Sequence, residues 1–81
     1  MSYEIRVERI GETTLNINNQ NVRLPEYGCK ITRIGDDGVS PLETLHRGFH
    51  DRKMTGHEKS LVDRACAAAM ELDAEKLEVV I

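Results

Sequence analysis

The stretch from Thr55 to Asp73 constrains this chain most. Thr55-Gly56-His57-Glu58 sets a hydroxyl where it can accept from a free amide of a first helical turn. The glutamate three residues on can reach back to the threonine amide, which makes a capping box. Leu61, Ala65, Ala68 and Leu72 then fall within a narrow helical arc, widened by Val62, Cys66 and Ala69. Ser60, Asp63, Arg64, Ala67 and Glu71 point the other way. The spacing predicts a helix from Gly56 to Asp73 with one buried face. Its alanines favour helix and permit close approach to the layer beneath.

A second start signal lies upstream at Ser40-Pro41-Leu42-Glu43. Serine can cap, proline at the first helical position sacrifices no bonded amide, and glutamate closes the box. Leu42, Leu45 and Phe49 recur at helical spacing, so a first helix is expected here. Gly48 weakens it and Asp51-Arg52-Lys53 ends it.

The N-terminal half reads as strands. Tyr3, Ile5 and Val7 alternate with Glu4, Arg6 and Glu8, the period of a strand with one face buried. Ile10-Gly11-Glu12 suits a three-residue hairpin loop with left-handed Gly11, which sets Val7 opposite Leu15 and Ile5 opposite Ile17. A turn centred on Asn19-Gln20 pairs Ile17 with Val22 and Leu15 with Leu24. Pro25-Glu26 breaks the chain again, before a fourth strand from Tyr27 to Ile34. Gly35-Asp36-Asp37-Gly38 is a turn, and the alternating oxygen ligands of a calcium loop are missing. Lys76 to Ile81 reads as a short last strand. Either that strand pairs within the sheet, or it offers an edge that a partner or a second copy can extend. The expected fold is α+β, one small domain over residues 1–81. It has a four-stranded antiparallel meander, then two helices packed on one face, then a short C-terminal strand (β-β-β-β-α-α-β).

Function is less legible. His46 and His50, four apart on the expected first helix, are weak metal candidates, with His57, Cys66 or Asp51 as a third ligand. CxxC and HExxH are absent, so no metal and no cofactor is assigned. Cys66, among alanines in mid-helix, reads as packing rather than a nucleophile. The segment 46–64 gathers His46, Arg47, His50, Arg52, Lys53, His57 and Lys59 on a chain whose formal net charge is −3. Two helices joined there resemble a helix-turn-helix, whose second helix would meet the major groove. The overall acidity argues against binding nucleic acid by bulk charge.

Two cysteines far apart and an N-terminus that alternates charge and apolarity point to a cytoplasmic setting without a signal peptide. No apolar run reaches the ~18 residues of a membrane span. With 81 residues the core is too small for a deep pocket. The sequence reading is therefore a small non-enzymatic binding or regulatory protein working through contact with an unidentified protein. Accessory and inhibitor proteins of bacteria and phages are of this type. The candidate contact residues are the cluster from His46 to Lys59, and the alternative reading is nucleic-acid binding through 46–64.

Overall fold

The computed structural model describes residues 2–81. The elements in chain order are β1 (Ser2–Ile17), β2 (Gln20–Ile34), β3 (Pro41–His46), a single 3₁₀ turn (Asp51–Lys53), α1 (Gly56–Glu71) and β4 (Lys76–Val80). They form a four-stranded antiparallel sheet in the order β3-β2-β1-β4. Among the described residues the protein is therefore α+β, with one sheet and one α-helix.

Two expectations are corrected. The first is the helix after Ser40. The Ser40 hydroxyl donates to the Asp37 carboxylate, which also accepts from the Val39 and Ser40 amides. Ser40 is thus held by the preceding turn and does not cap a helix. The next segment is strand β3, with Leu45 opposite Ile31 and Thr44 opposite Thr32. Leu42 and Phe49, the other members of the expected helical stripe, are 62% and 85% exposed. Gly48 sits at φ 84°, a left-handed conformation no α-helix contains.

The second correction concerns the meander. Ile10-Gly11-Glu12 is not a hairpin loop, and Gly11 is not left-handed. β1 and β2 are one uninterrupted hairpin of 16 and 15 residues, far longer than the usual five or six. Its turn is Asn18-Asn19, with φ 51° and 64°. Both values are positive, as a type I′ turn requires, and asparagine tolerates them. The pairing is Ile5 with Ile31, Val7 with Cys29 and Leu15 with Val22. Pro25 pairs with Glu12 inside the hairpin instead of breaking it. The last strand pairs within the chain, Ile5 lying opposite Val79 and Val7 opposite Leu77.

Helix α1 lies on one face of the wide end of this sheet. Leu61, Val62, Ala65 and Ala69 pack with Ile5, Val7, Cys29, Ile31, Leu45 and Met54. The buried stripe centres on these small residues rather than on Leu72, which is 68% exposed. The capping box forms as the sequence predicts, with the Thr55 hydroxyl accepting from the Glu58 amide and Glu58 accepting from the Thr55 amide. At the other end Asp73 takes a left-handed conformation, φ 49°. There the Ala74 amide reaches back to the Ala69 carbonyl and Asp73 to Met70, a Schellman closure.

Glu58 does more than cap. It is buried and grips Arg33 of β2 through two 2.8 Å bonds. Arg33 also reaches Glu43 and the Lys53 carbonyl. The guanidinium holds the Glu58 carboxyl down at about 2, although burial alone would raise it. The start of α1 is thereby fastened to β2, to β3 and to the 3₁₀ turn.

Candidate functional site

The hairpin outruns its support. β3 pairs with β2 no further than Lys30, and β4 pairs with β1 no further than Glu8. From Ile10 to Glu26 the hairpin is therefore a two-stranded arm, and it accounts for the 52 Å length of a molecule only 25 and 17 Å across. No member of the core cluster lies between those two residues.

A bulge at Ile10 decides what the arm displays. Before it Arg9 faces Tyr27, and after it Gly11 faces Glu26. The extra residue shifts β1 by one step relative to β2, and because side chains alternate with period two, every later side chain on β1 changes face. The shift is what the two sequences need. The apolar residues of β1 remain odd-numbered throughout (5, 7, 15, 17), while those of β2 change from even (22, 24) to odd (29, 31). Beyond the bulge, Leu15, Ile17, Val22 and Leu24 share the face opposite α1. Ile10 lies on that face too, against Gly28, where an added Cβ would meet it at 3.3 Å. Ile10 is 64% exposed, Ile17 51%, and Leu15 and Leu24 42% each. The arm's other face is polar: Glu12, Thr14, Asn16, Asn21 and Arg23 around Pro25.

Arg9 fixes the arm at its base. Its guanidinium donates to the Tyr27 hydroxyl and to Asp73 beyond the end of α1, and it stacks over the Tyr27 ring at 5.7 Å. These bonds raise its pKa further. Across the bulge, on the open sheet face, a shallow depression of about 270 Å³ is bounded by Arg6, Glu8, Ile10, Gly28, Lys30 and His46. Its walls carry both signs of charge. Arg6 is already paired to Glu4 at 2.8 Å and lies 3.8 Å from Glu78.

The residues singled out from sequence do not form one site. His46 is on β3 and His50 in the following turn, not on one helix. They touch nonetheless: His50 Nδ1 accepts from the His46 amide at 2.9 Å, and the rings lie 5.6 Å apart. The exposed Phe49 ring meets His50 edge-on at 4.6 Å. His57 is apart from both, beside Tyr3. Arg47 is paired with Asp63 of α1 at 3.4 Å. Arg52, Lys53 and Lys59 are exposed around the start of the helix. The helix-turn-helix is absent because its first helix is strand β3. Among the described residues no three or more His, Cys, Asp or Glu side chains gather closely enough to hold a metal ion.

Nor is Cys29 poised as a nucleophile. Cys29 and Cys66 are free and buried, and burial, with some help from Cys66, pushes the Cys29 thiol up to about 11. A thiol so protonated does not attack at neutral pH. Among the described residues no helix is long and apolar enough to cross a membrane.

Sequence reasoning missed the arm. Its signal was present: a type I′-compatible Asn-Asn between two strands whose apolar parity changes at Pro25-Glu26. No family model, no characterised protein and no solved structure matches the chain.

Proposed function

We propose that the protein is a non-enzymatic binding protein that engages another protein through the apolar face of its hairpin arm. One observation carries this reading. Leu15, Ile17 and Leu24, with Ile10 at the base, are large apolar side chains held in one exposed row on an arm that contributes nothing to the core. An apolar row that does not support the fold is explained by something that covers it.

The chemistry of the row describes the partner. Between Ile10 and Glu26 the charged residues are Glu12, Arg23 and Glu26, a sum of +1 − 2 = −1. Such an arm lacks the positive charge that draws a phosphate backbone, so its partner is a protein with an apolar, near-neutral surface. The groups moved from their ordinary pKa values support the non-enzymatic half of the reading. Glu58 and Arg33 are spent in the buried pair with Tyr3 raised by burial beside Glu58, Arg9 in the arm clamp, Asp37 in a turn and Cys29 in the core. Of these, Cys29 and Arg9 border shallow surface depressions, but the Cys29 side chain is buried in the core and the Arg9 guanidinium is held by Tyr27 and Asp73.

The test compares captures from the native host. Wild-type protein and the Arg52→Ala/Lys53→Ala variant should retain the same partner, and the Leu15→Ser/Leu24→Ser variant should lose it. Capture that survives the leucine replacements but not the basic ones moves the site to the His46–Lys59 cluster and overturns the proposal.

A further inference from the structure

We infer that the open edge of β1, from Gly11 to Ile17, pairs antiparallel with the same edge of a second copy of this chain. The pairing uses a strand edge rather than the apolar face, and it does not depend on what that face binds.

The backbone shows which groups are free. The Tyr3 and Arg9 amides donate outward to Ile81 and Glu75, and the Cys29 carbonyl accepts from Arg47 of the β3 side. Odd residues of β2 therefore point away from β1, and even ones bond to it. Past the bulge the facing pairs place odd residues of β1 toward β2. Glu12, Thr14 and Asn16 consequently direct their N–H and C=O groups into solvent, where β4 no longer covers them.

Among the described residues the sheet has three other edges, and each is blunted. On the arm side of β2 the outward amide at Pro25 is missing, because proline has none. β3 is six residues long and begins at Pro41. β4 is five residues long and sets charged Lys76 and Glu78 on its outer edge positions. The β1 edge alone among them carries no proline and no lysine. Glu12 is its one charge.

The edge is also complementary to itself. An antiparallel two-fold centred on Thr14 sets Thr14 against the partner's Thr14, a favourable cross-strand pair. Glu12 then faces the partner's Asn16, so the one charge meets an amide rather than its own image. Leu15 faces the partner's Thr13 on the apolar side. The outward groups at 12, 14 and 16 fall into hydrogen-bonded pairs in this register. A two-stranded ribbon is marginal in water. Pairing turns two such arms into one four-stranded sheet and sets their apolar rows side by side on a common face.

Sedimentation of the purified chain from roughly 1 μM to 1 mM tests this without any other protein. The wild type should pass from monomer to dimer. Thr14→Pro should remain monomeric, since it removes an outward N–H and no bond within the chain. Thr14→Cys should give a disulfide-linked dimer on mild oxidation, because Cα atoms of a hydrogen-bonded pair lie about 5.5 Å apart, within disulfide reach. Arg23→Cys, on the blunted side of the arm, should not. This cross-link decides the matter should Thr14→Pro fail to fold. The inference is overturned if the wild type stays monomeric, or if Arg23→Cys cross-links as readily as Thr14→Cys. A dimer that survives Thr14→Pro but dissolves in Leu15→Ser/Leu24→Ser would be joined by the apolar faces instead, and also overturns it.

Discussion

Arg33 and Glu58 form the most consequential residue pair. The Glu58 side chain is 1% exposed and that of Arg33 24%, so the two deletions are unequal. Arg33→Ala strands a buried carboxylate, and such a loss costs about 3–5 kcal/mol. At ~4–8 °C per kcal/mol for a domain this size, the melting temperature should fall by more than about 12 °C. Glu58→Gln strands a guanidinium that still has Glu43, the Lys53 carbonyl and water, and should cost less. Thermal melts of both variants check the order. The pair also sets an acid limit. The Glu58 carboxyl is held at about 2 in the fold, against an ordinary 4.5. A carboxylate depressed in the fold contributes its full stabilisation above the unfolded value and loses it as pH falls through the folded one. Wild-type stability should therefore fall between about pH 4.5 and 2, and Glu58→Gln should show a shallower fall. Asp37 is also held at about 2, chiefly by the Ser40 hydroxyl and amide, so Asp37→Asn is the control that isolates the buried pair.

At the scale of elements, local signals succeeded where the cause was local. Thr55 and Glu58 specify the start of α1 because both halves of the capping box are made within four residues. Lys76 to Val80 is a strand because Leu77 and Val79 alternate inward and find Val7 and Ile5. Ser40 and Glu43 carry an equally good box, but Asp37 takes the serine and β2 takes the segment. Ile10-Gly11-Glu12 carries an acceptable hairpin loop, but Ile5 and Val7 reach Ile31 and Cys29. Those contacts span more than twenty residues, and no window of local pattern contains them. The arm comes from the same long pairing, which is why its apolar face reads as core in the sequence. Its own weak point is the turn. Asn18 and Asn19 both hold positive φ, and alanine in that conformation costs roughly 1–2 kcal/mol. Asn19→Ala should speed hydrogen exchange of amides bonded across the arm, such as those of Thr13 and Leu15, while leaving Ile5 and Ile31 protected. Equal acceleration in both regions would mean that arm and body open as one unit.

The whole molecule divides its labour along its length. One end has a helix, four strands and every member of the core cluster. The other is a bare ribbon whose outer row is apolar and whose one serviceable edge is unblocked. A ribbon retained purely for stability would turn its leucines toward α1, and the Ile10 bulge turns them away. Arg9, Tyr27 and Asp73 then close the boundary, so the body ends in its own polar clamp. The arm should therefore be removable. Joining Arg9 directly to Tyr27 through Asn-Gly leaves the hydrogen-bonded Glu8–Gly28 pair closed by a four-residue loop, a common hairpin connection. The shortened chain should melt cooperatively within a few degrees of the parent, because burial in the body is untouched. It should also remain monomeric at concentrations where the parent associates, and capture nothing from the native host. If shortening instead abolishes folding, the arm stabilises the body through contacts the core does not reveal, and its exposed leucines would need a structural explanation in place of a functional one.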